Sequence, residues 1–145
     1  MVYLDTSALL KRYVPETSSD AFELYLSALM PAAVSRLTLV ELRSGLARKR
    51  REGAIASNRE RAAIAEIRID LQDGVLQLQP ASDQHFVDAF HLIDKLRTLP
   101  LRTLDALHLA IAQASQSDEL ATADETMAKA AKALGMRVAF FGNTH

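Results

Sequence analysis

The stretch Arg102-Thr-Leu-Asp-Ala-Leu-His-Leu-Ala-Ile111 constrains this chain more than any other. Leu, Ala and Ile fill most of its positions, so a helix formed from it is apolar almost all round and has to be buried. Asp105 nevertheless stands near its start. A carboxylate is rarely buried unless something pairs with it. The search for that partner leads to three other acids.

The chain has 145 residues, which fits one domain, residues 1–145, able to bury roughly two-thirds of its unfolded surface. Apolar residues make up 49% and charged residues 24%, an ordinary balance that argues against global disorder. Cysteine is absent, which excludes disulfides, thiolate metal sites and cysteine nucleophiles. Val2-Tyr3-Leu4 is interrupted by Asp5 with no basic region ahead, unlike a signal peptide, and no run approaches the roughly 18 apolar residues of a membrane span. A cytoplasmic protein is expected. The formal charge of −1 gives no overall attraction to nucleic acid, so such binding has to be local or carried by metal.

Val2–Leu4 suits a short buried parallel strand, followed by a helix over Ala8–Tyr13 that Thr6 or Ser7 would cap and Pro15 would stop. A second helix is expected from about Ala21 to Met30, then a strand over Ala32–Ser35. Leu39, Leu42 and Leu46 fall on one stripe of a helix from Arg36 to about Arg51, closed by Gly53. Further helices are expected over Ser57–Leu71, Asp83–Leu99 and Glu125–Leu134, and strands over Val75–Leu78, Glu119–Thr122 and Arg137–Phe141. Strands alternating with helices imply an α/β fold with a mostly parallel sheet covered on both faces.

In such sheets ligands bind beyond the carboxyl ends of the strands. Asp5 ends the first strand, Asp124 follows the strand before last, and Asp105 opens the buried helix. Glu41 lies in the third helix, where the small residues Ser44 and Gly45 leave part of its face open. Carboxylates held close together repel, and a hard divalent cation such as Mg2+ or Mn2+ removes that conflict. In phosphodiester hydrolysis such a cation orients the phosphate and activates water. Each acid also has a plainer reading. Asp5 and Asp124 suit helix caps, Glu41 a solvated helix face, and Asp105 a first-turn acid favoured by the helix dipole.

Four stretches occur in order: Tyr3-Leu-Asp-Thr-Ser-Ala-Leu-Leu-Lys-Arg-Tyr-Val-Pro-Glu16, Ser35-Arg-Leu-Thr-Leu-Val-Glu-Leu42, Thr103-Leu-Asp-Ala-Leu-His-Leu-Ala110, and Leu120-Ala-Thr-Ala-Asp124 with the following Ala130-Ala131 and Leu134-Gly135. In these the chain resembles the PIN-domain ribonucleases, and among them the VapC-type toxins of bacterial toxin–antitoxin pairs. The resemblance implies a PIN-like three-layer sandwich and Mg2+- or Mn2+-dependent RNA cleavage. Asp5, Glu41, Asp105 and Asp124 would be the metal-holding catalytic acids. It further implies a homodimer and a VapB-type antitoxin that occludes the site. Gly53 to Pro100 carries no usable motif.

Among the basic residues, Arg48 shares Glu41's face and suits RNA contact, whereas Lys49 to Arg51 read as a solvated helix end. His108, between Leu107 and Leu109, reads as a packed histidine more readily than as a general base. Ser7 and Thr122 lie near the acids as candidate hydrogen-bond donors. A receiver-like domain would need adjacent acids after the first strand, and a haloacid-dehalogenase-like phosphatase an aspartate at position 7; Thr6 and Ser7 fit neither. RNase H-like nucleases open with antiparallel strands, which a helix beginning near Ala8 does not match. A catalytically silent module of the same fold, or a housekeeping RNA-processing nuclease, stands as the alternative.

Overall fold

The computed structural model describes residues 1–143. In chain order the elements are β1 (Val2–Leu4), α1 (Thr6–Tyr13), α2 (Ser19–Leu29), β2 (Ala32–Ser35), α3 (Arg36–Arg51) and α4 (Ser57–Gln72). β3 (Leu76–Gln79), α5 (Asp83–Lys95), α6 (Thr103–Ala114), β4 (Glu119–Thr122), α7 (Glu125–Ala133) and β5 (Arg137–Phe140) complete them. The five strands form one sheet in the order β3-β2-β1-β4-β5. Every pairing is parallel, with Tyr3 opposite both Ala33 and Leu120.

Alternation along the strands divides the core between the two faces of the sheet. Val2, Leu4, Ala32, Val34 and Ala121 pack with Leu9, Phe22, Leu26, Leu42 and Leu46 from α1, α2 and α3. Tyr3, Ala33 and Leu120 point the other way, against Leu92, Leu107, Leu109, Ile111 and Met127 from α5, α6 and α7. α6 is buried along its whole middle, Ala106 to Ala112, as its composition requires.

Some boundaries differ from the sequence expectation. α1 begins at Thr6 because the Asp5 carboxylate, not Thr6 or Ser7, accepts the amide of Thr6 as the cap. α2 begins at Ser19, and α5 stops at Lys95 instead of near Leu99. Gly53 and Gly74 end α3 and α4 with φ of 76° and 77°, the left-handed geometry that glycine adopts without strain.

The strand order fixes where a cleft opens. From β1 the chain first builds outward through β2 to β3, then returns to place β4 and β5 on β1's other side. Beyond the carboxyl ends of β1 and β4 the connections diverge and leave a crevice.

Candidate active-site cleft

That crevice is a cleft of about 500 Å³ lined by Asp5, Glu41, Asp105 and Asp124 together with Thr6, Ser7, Ser44, Gly45, Arg48 and Arg102. Residues separated by up to 119 positions in sequence therefore share one site, 124 minus 5.

Asp5, at the exit of β1, is the buried acid, only 6% exposed. One of its oxygens accepts the Thr6 amide at 2.8 Å, and the other accepts the hydroxyls of Ser7 at 2.9 Å and Thr122 at 2.8 Å. Those three donors fix the carboxylate and repay its burial. Asp124 caps α7, accepting the Met127 amide at 2.8 Å. Asp5 and Asp124 thus combine the plain capping role with a place on the cleft.

Asp105 sits in the first turn of α6 and is half-buried, less enclosed than the apolar helix around it suggests. Burial, and then the charges of Asp5 and Asp124, push its carboxyl above the ordinary carboxylate range, against the pull of Arg102 and His108. Arg102 Nε approaches Asp105 to 3.7 Å and the same guanidinium lies 3.9 Å from Asp124, but 81% of the Arg102 side chain is exposed, so solvent weakens its hold.

Glu41 reaches the cleft from α3. Thr6 donates its hydroxyl to Glu41 Oε1 at 2.7 Å, and His108 Nε2 meets the same oxygen. Burial on its own raises this carboxyl, but the His108 and Thr6 hydrogen bonds outweigh burial and hold it below its usual range. His108 is buried, as expected of a packed histidine, yet both ring nitrogens are engaged. Thr6 and Arg102 were not marked by the sequence as site residues; their only signal was proximity to Asp5 and Asp105. Ser7 and Thr122 hold Asp5, as donors near the acids would.

The basic residues separate as their surroundings dictate. Arg43 and Arg50 pair with the buried Glu60 of α4 at 3.0 and 2.6 Å, and Lys49 lies 3.6 Å from Glu16. Arg48 lines the cleft.

An all-oxygen set of carboxylates, one of them raised by burial and then by its neighbours' charge, suits a hard divalent cation. The repulsion has a measurable consequence without metal. A raised folded-state pKa means that ionised Asp105 costs stability above that pKa, and protonation relieves the cost as pH falls. Asp105→Asn is therefore expected to leave the melting temperature in EDTA at neutral pH unchanged or to raise it by about 2–4 °C for each kcal/mol relieved. Its advantage should shrink toward the carboxylate titration range. Calorimetry showing a clear drop at neutral pH would contradict the repulsion.

The PIN domain family model matches residues 2–133. Ribonuclease VapC46 of Mycobacterium tuberculosis is 35% identical over 139 residues, spanning 94% of this chain and 95% of that protein. The crystal structure of VapC20 from the same species, described as a sarcin–ricin loop cleaving toxin, superposes with a TM-score of 0.71 at 17% identity, over 90% of this chain and 95% of its own. FitAcB from Neisseria gonorrhoeae superposes with a TM-score of 0.70 at 18% identity, over 95% and 96%. A strand order that opens a cleft between β1 and β4, four acids on that cleft and a relative matched almost end to end agree: the chain belongs to the PIN domain family.

Proposed function

We propose that this chain is an endoribonuclease in which Asp5, Glu41, Asp105 and Asp124 hold a divalent cation, Mg2+ or Mn2+, and that it acts as the toxin of a toxin–antitoxin pair. The convergence of these four acids on one cleft at the carboxyl edge of a PIN-domain sheet carries the reading. Its likeness to a protein named as a ribonuclease supports RNA as the substrate. Residues 1–145 would work as one nuclease domain.

A bound cation would activate water and offset the negative charge of the scissile phosphate. The chain's own residues supply the rest. Asp5 is immobilised by Thr6, Ser7 and Thr122, so one carboxylate stays fixed at the cleft floor. Thr6 and His108 hold Glu41 across from it. Arg48 and Arg102 line the cleft and would contact backbone phosphates beside the acids. A net charge of −1 gives the chain no overall attraction to RNA, which leaves positioning of the strand to local contacts.

The toxin role draws on proteins of the same fold described as a toxin–antitoxin complex from Klebsiella pneumoniae and as VapBC2 from Rickettsia felis bound to promoter DNA. A VapB-type antitoxin would occlude the cleft. A homodimer is supported by Phe86, Phe90 and Ile93, which form an exposed apolar stripe on α5, with Phe90 74% exposed. A toxin acting on cellular RNA belongs in the cytoplasm, and among the described residues no helix is long and apolar enough to cross a membrane.

The purified chain is expected to cleave RNA internally with Mn2+ or Mg2+, to stop in EDTA and to resume on excess metal. Light scattering on the same sample reads its assembly. Its expression should arrest growth unless a cognate antitoxin is co-expressed. RNA left intact with either metal would refute the nuclease reading, and cleavage without growth arrest would favour RNA processing over toxicity.

A further inference from the structure

A column of buried polar groups runs from the middle of the sheet to the cleft. Tyr3 is wholly buried in β1, on the face packed against α6. Its hydroxyl lies 2.9 Å from Ser35 Oγ at the exit of β2 and 2.7 Å from His108 Nδ1. His108, 1% exposed, directs its other nitrogen at Glu41. The ring also stands edge-on to Tyr3, with centroids 5.7 Å apart.

Phenylalanine and leucine would fill the same space without a hydroxyl or an imidazole to satisfy, and buried polar groups are costly unless every one is paired. Here each group is paired, and the column ends on Glu41. That residue needs an anchor: a glutamate on a helix face has three rotatable side-chain bonds and loses substantial entropy when held in one rotamer. An ionised carboxylate only accepts, so Nε2 of His108 donates to it while Tyr3 fixes the opposite edge of the ring.

We propose that His108, held by Tyr3, whose hydroxyl also meets Ser35, is a positioning residue that locks the Glu41 carboxylate toward Asp5 and the cation cleft. This inference rests on the metal-nuclease reading and adds to it a support rooted in the face of the sheet that packs against α6. A rival role is direct ligation, because Asp5, Glu41 and His108 each offer a ligand atom within 4.8 Å of the others. Burial favours positioning: an ion reaching Nε2 would have to displace Glu41 from a nitrogen that solvent hardly touches.

The experiment compares His108→Leu, His108→Gln, Tyr3→Phe and Asp5→Asn in the full chain. It measures Mn2+ affinity by calorimetry, RNA-cleavage kinetics, and nitrogen hyperfine coupling to bound Mn2+ by electron paramagnetic resonance. His108→Leu is expected to weaken Mn2+ binding or lower kcat by roughly 10- to 100-fold, the usual effect of removing a group that orients a metal ligand. The KM for RNA should hardly change. Glutamine places an amide donor near the position of Nε2, so His108→Gln should recover most of the loss. Tyr3→Phe should fall between leucine and wild type, and bound Mn2+ should show no histidine nitrogen coupling.

Wild-type affinity and kcat in His108→Leu would overturn the proposal, as would equal damage from Gln and Leu, or histidine coupling to the metal. If His108→Leu does not fold, His108→Gln and Tyr3→Phe decide: a loss in Tyr3→Phe larger than in His108→Gln supports the column, and wild-type behaviour of Tyr3→Phe refutes it. Asp5→Asn separates the two levels. Undiminished Mn2+ binding there would remove the metal reading itself, whereas a loss confined to Asp5→Asn would remove only the role of His108.

Discussion

Asp5→Asn is expected to slow RNA cleavage by at least about a hundredfold, the rate equivalent of roughly 3 kcal/mol of lost transition-state stabilisation. Asparagine is the informative substitution because of what Asp5 does structurally. It caps α1 and accepts from Ser7 and Thr122, so alanine would remove the cap, worth about 0.5–2 kcal/mol, and leave two hydroxyls without their acceptor. Asparagine keeps an acceptor oxygen and the side-chain shape while losing the charge. Initial rates at saturating Mn2+, measured alongside the thermal melt, separate the two effects. Wild-type rates in Asp5→Asn would end its assignment as a catalytic acid.

The largest effect on stability is expected away from the cleft, at Asp70→Ala. Asp70 is 7% exposed on α4 and receives Nε and a terminal nitrogen of Arg12 at 2.8 and 3.0 Å, plus the Tyr13 hydroxyl at 2.7 Å. Removing one partner of a buried ion pair costs about 3–5 kcal/mol. Here the lower end applies, because Arg12 keeps Glu23 at 2.9 Å. The acid limb of the stability profile should change too. Burial tends to raise the Asp70 carboxyl, but the Arg12 and Tyr13 hydrogen bonds outweigh it and hold it below the usual range. A depressed folded-state pKa gives stability that is present above the unfolded value near 4 and lost as pH falls through the folded one. Urea denaturation should therefore show a large gap between wild type and Asp70→Ala at pH 7 and a smaller gap at pH 3. Equal midpoints at pH 7 would show that the network adds nothing. Asp70 does not line the cleft, so folded Asp70→Ala should keep its RNA-cleavage rate.

These two residues also mark where the sequence was legible. Asp5 stood out because the end of a strand at a fold's ligand edge is a position that local pattern reveals. The strands announced themselves as short apolar runs, and α6 by an apolar composition that only the interior tolerates. Asp70 gave no such signal. Its meaning depends on Arg12, 58 positions away, and only the packing of α4 against α1 brings them together. His108 shows the same limit. Its neighbours Leu107 and Leu109 correctly signalled burial, but hydrogen bonds made within that burial depend on Tyr3 from β1 and Glu41 from α3. Local periodicity reports which face is buried and carries no record of the partners waiting there. Asp105, in the first turn at the rim, keeps 19% of its side chain exposed, so Asp5 is the most enclosed of the four cleft acids.

The placement of β1 between β2 and β4 has a bearing on the birth of the molecule. Asp5 and Glu41 come from the first third of the chain, and Asp105 and Asp124 from the last. A nascent chain that has emerged only as far as α4 carries two of the acids, and the strand that closes the cleft floor, with Thr122 bonded to Asp5, does not yet exist. Half a cleft presents only two of the four carboxylates proposed to hold a cation. The cleft is completed only when β4, made after α6, docks against β1. A chain leaving the ribosome therefore lacks the complete cleft until β4 has been made.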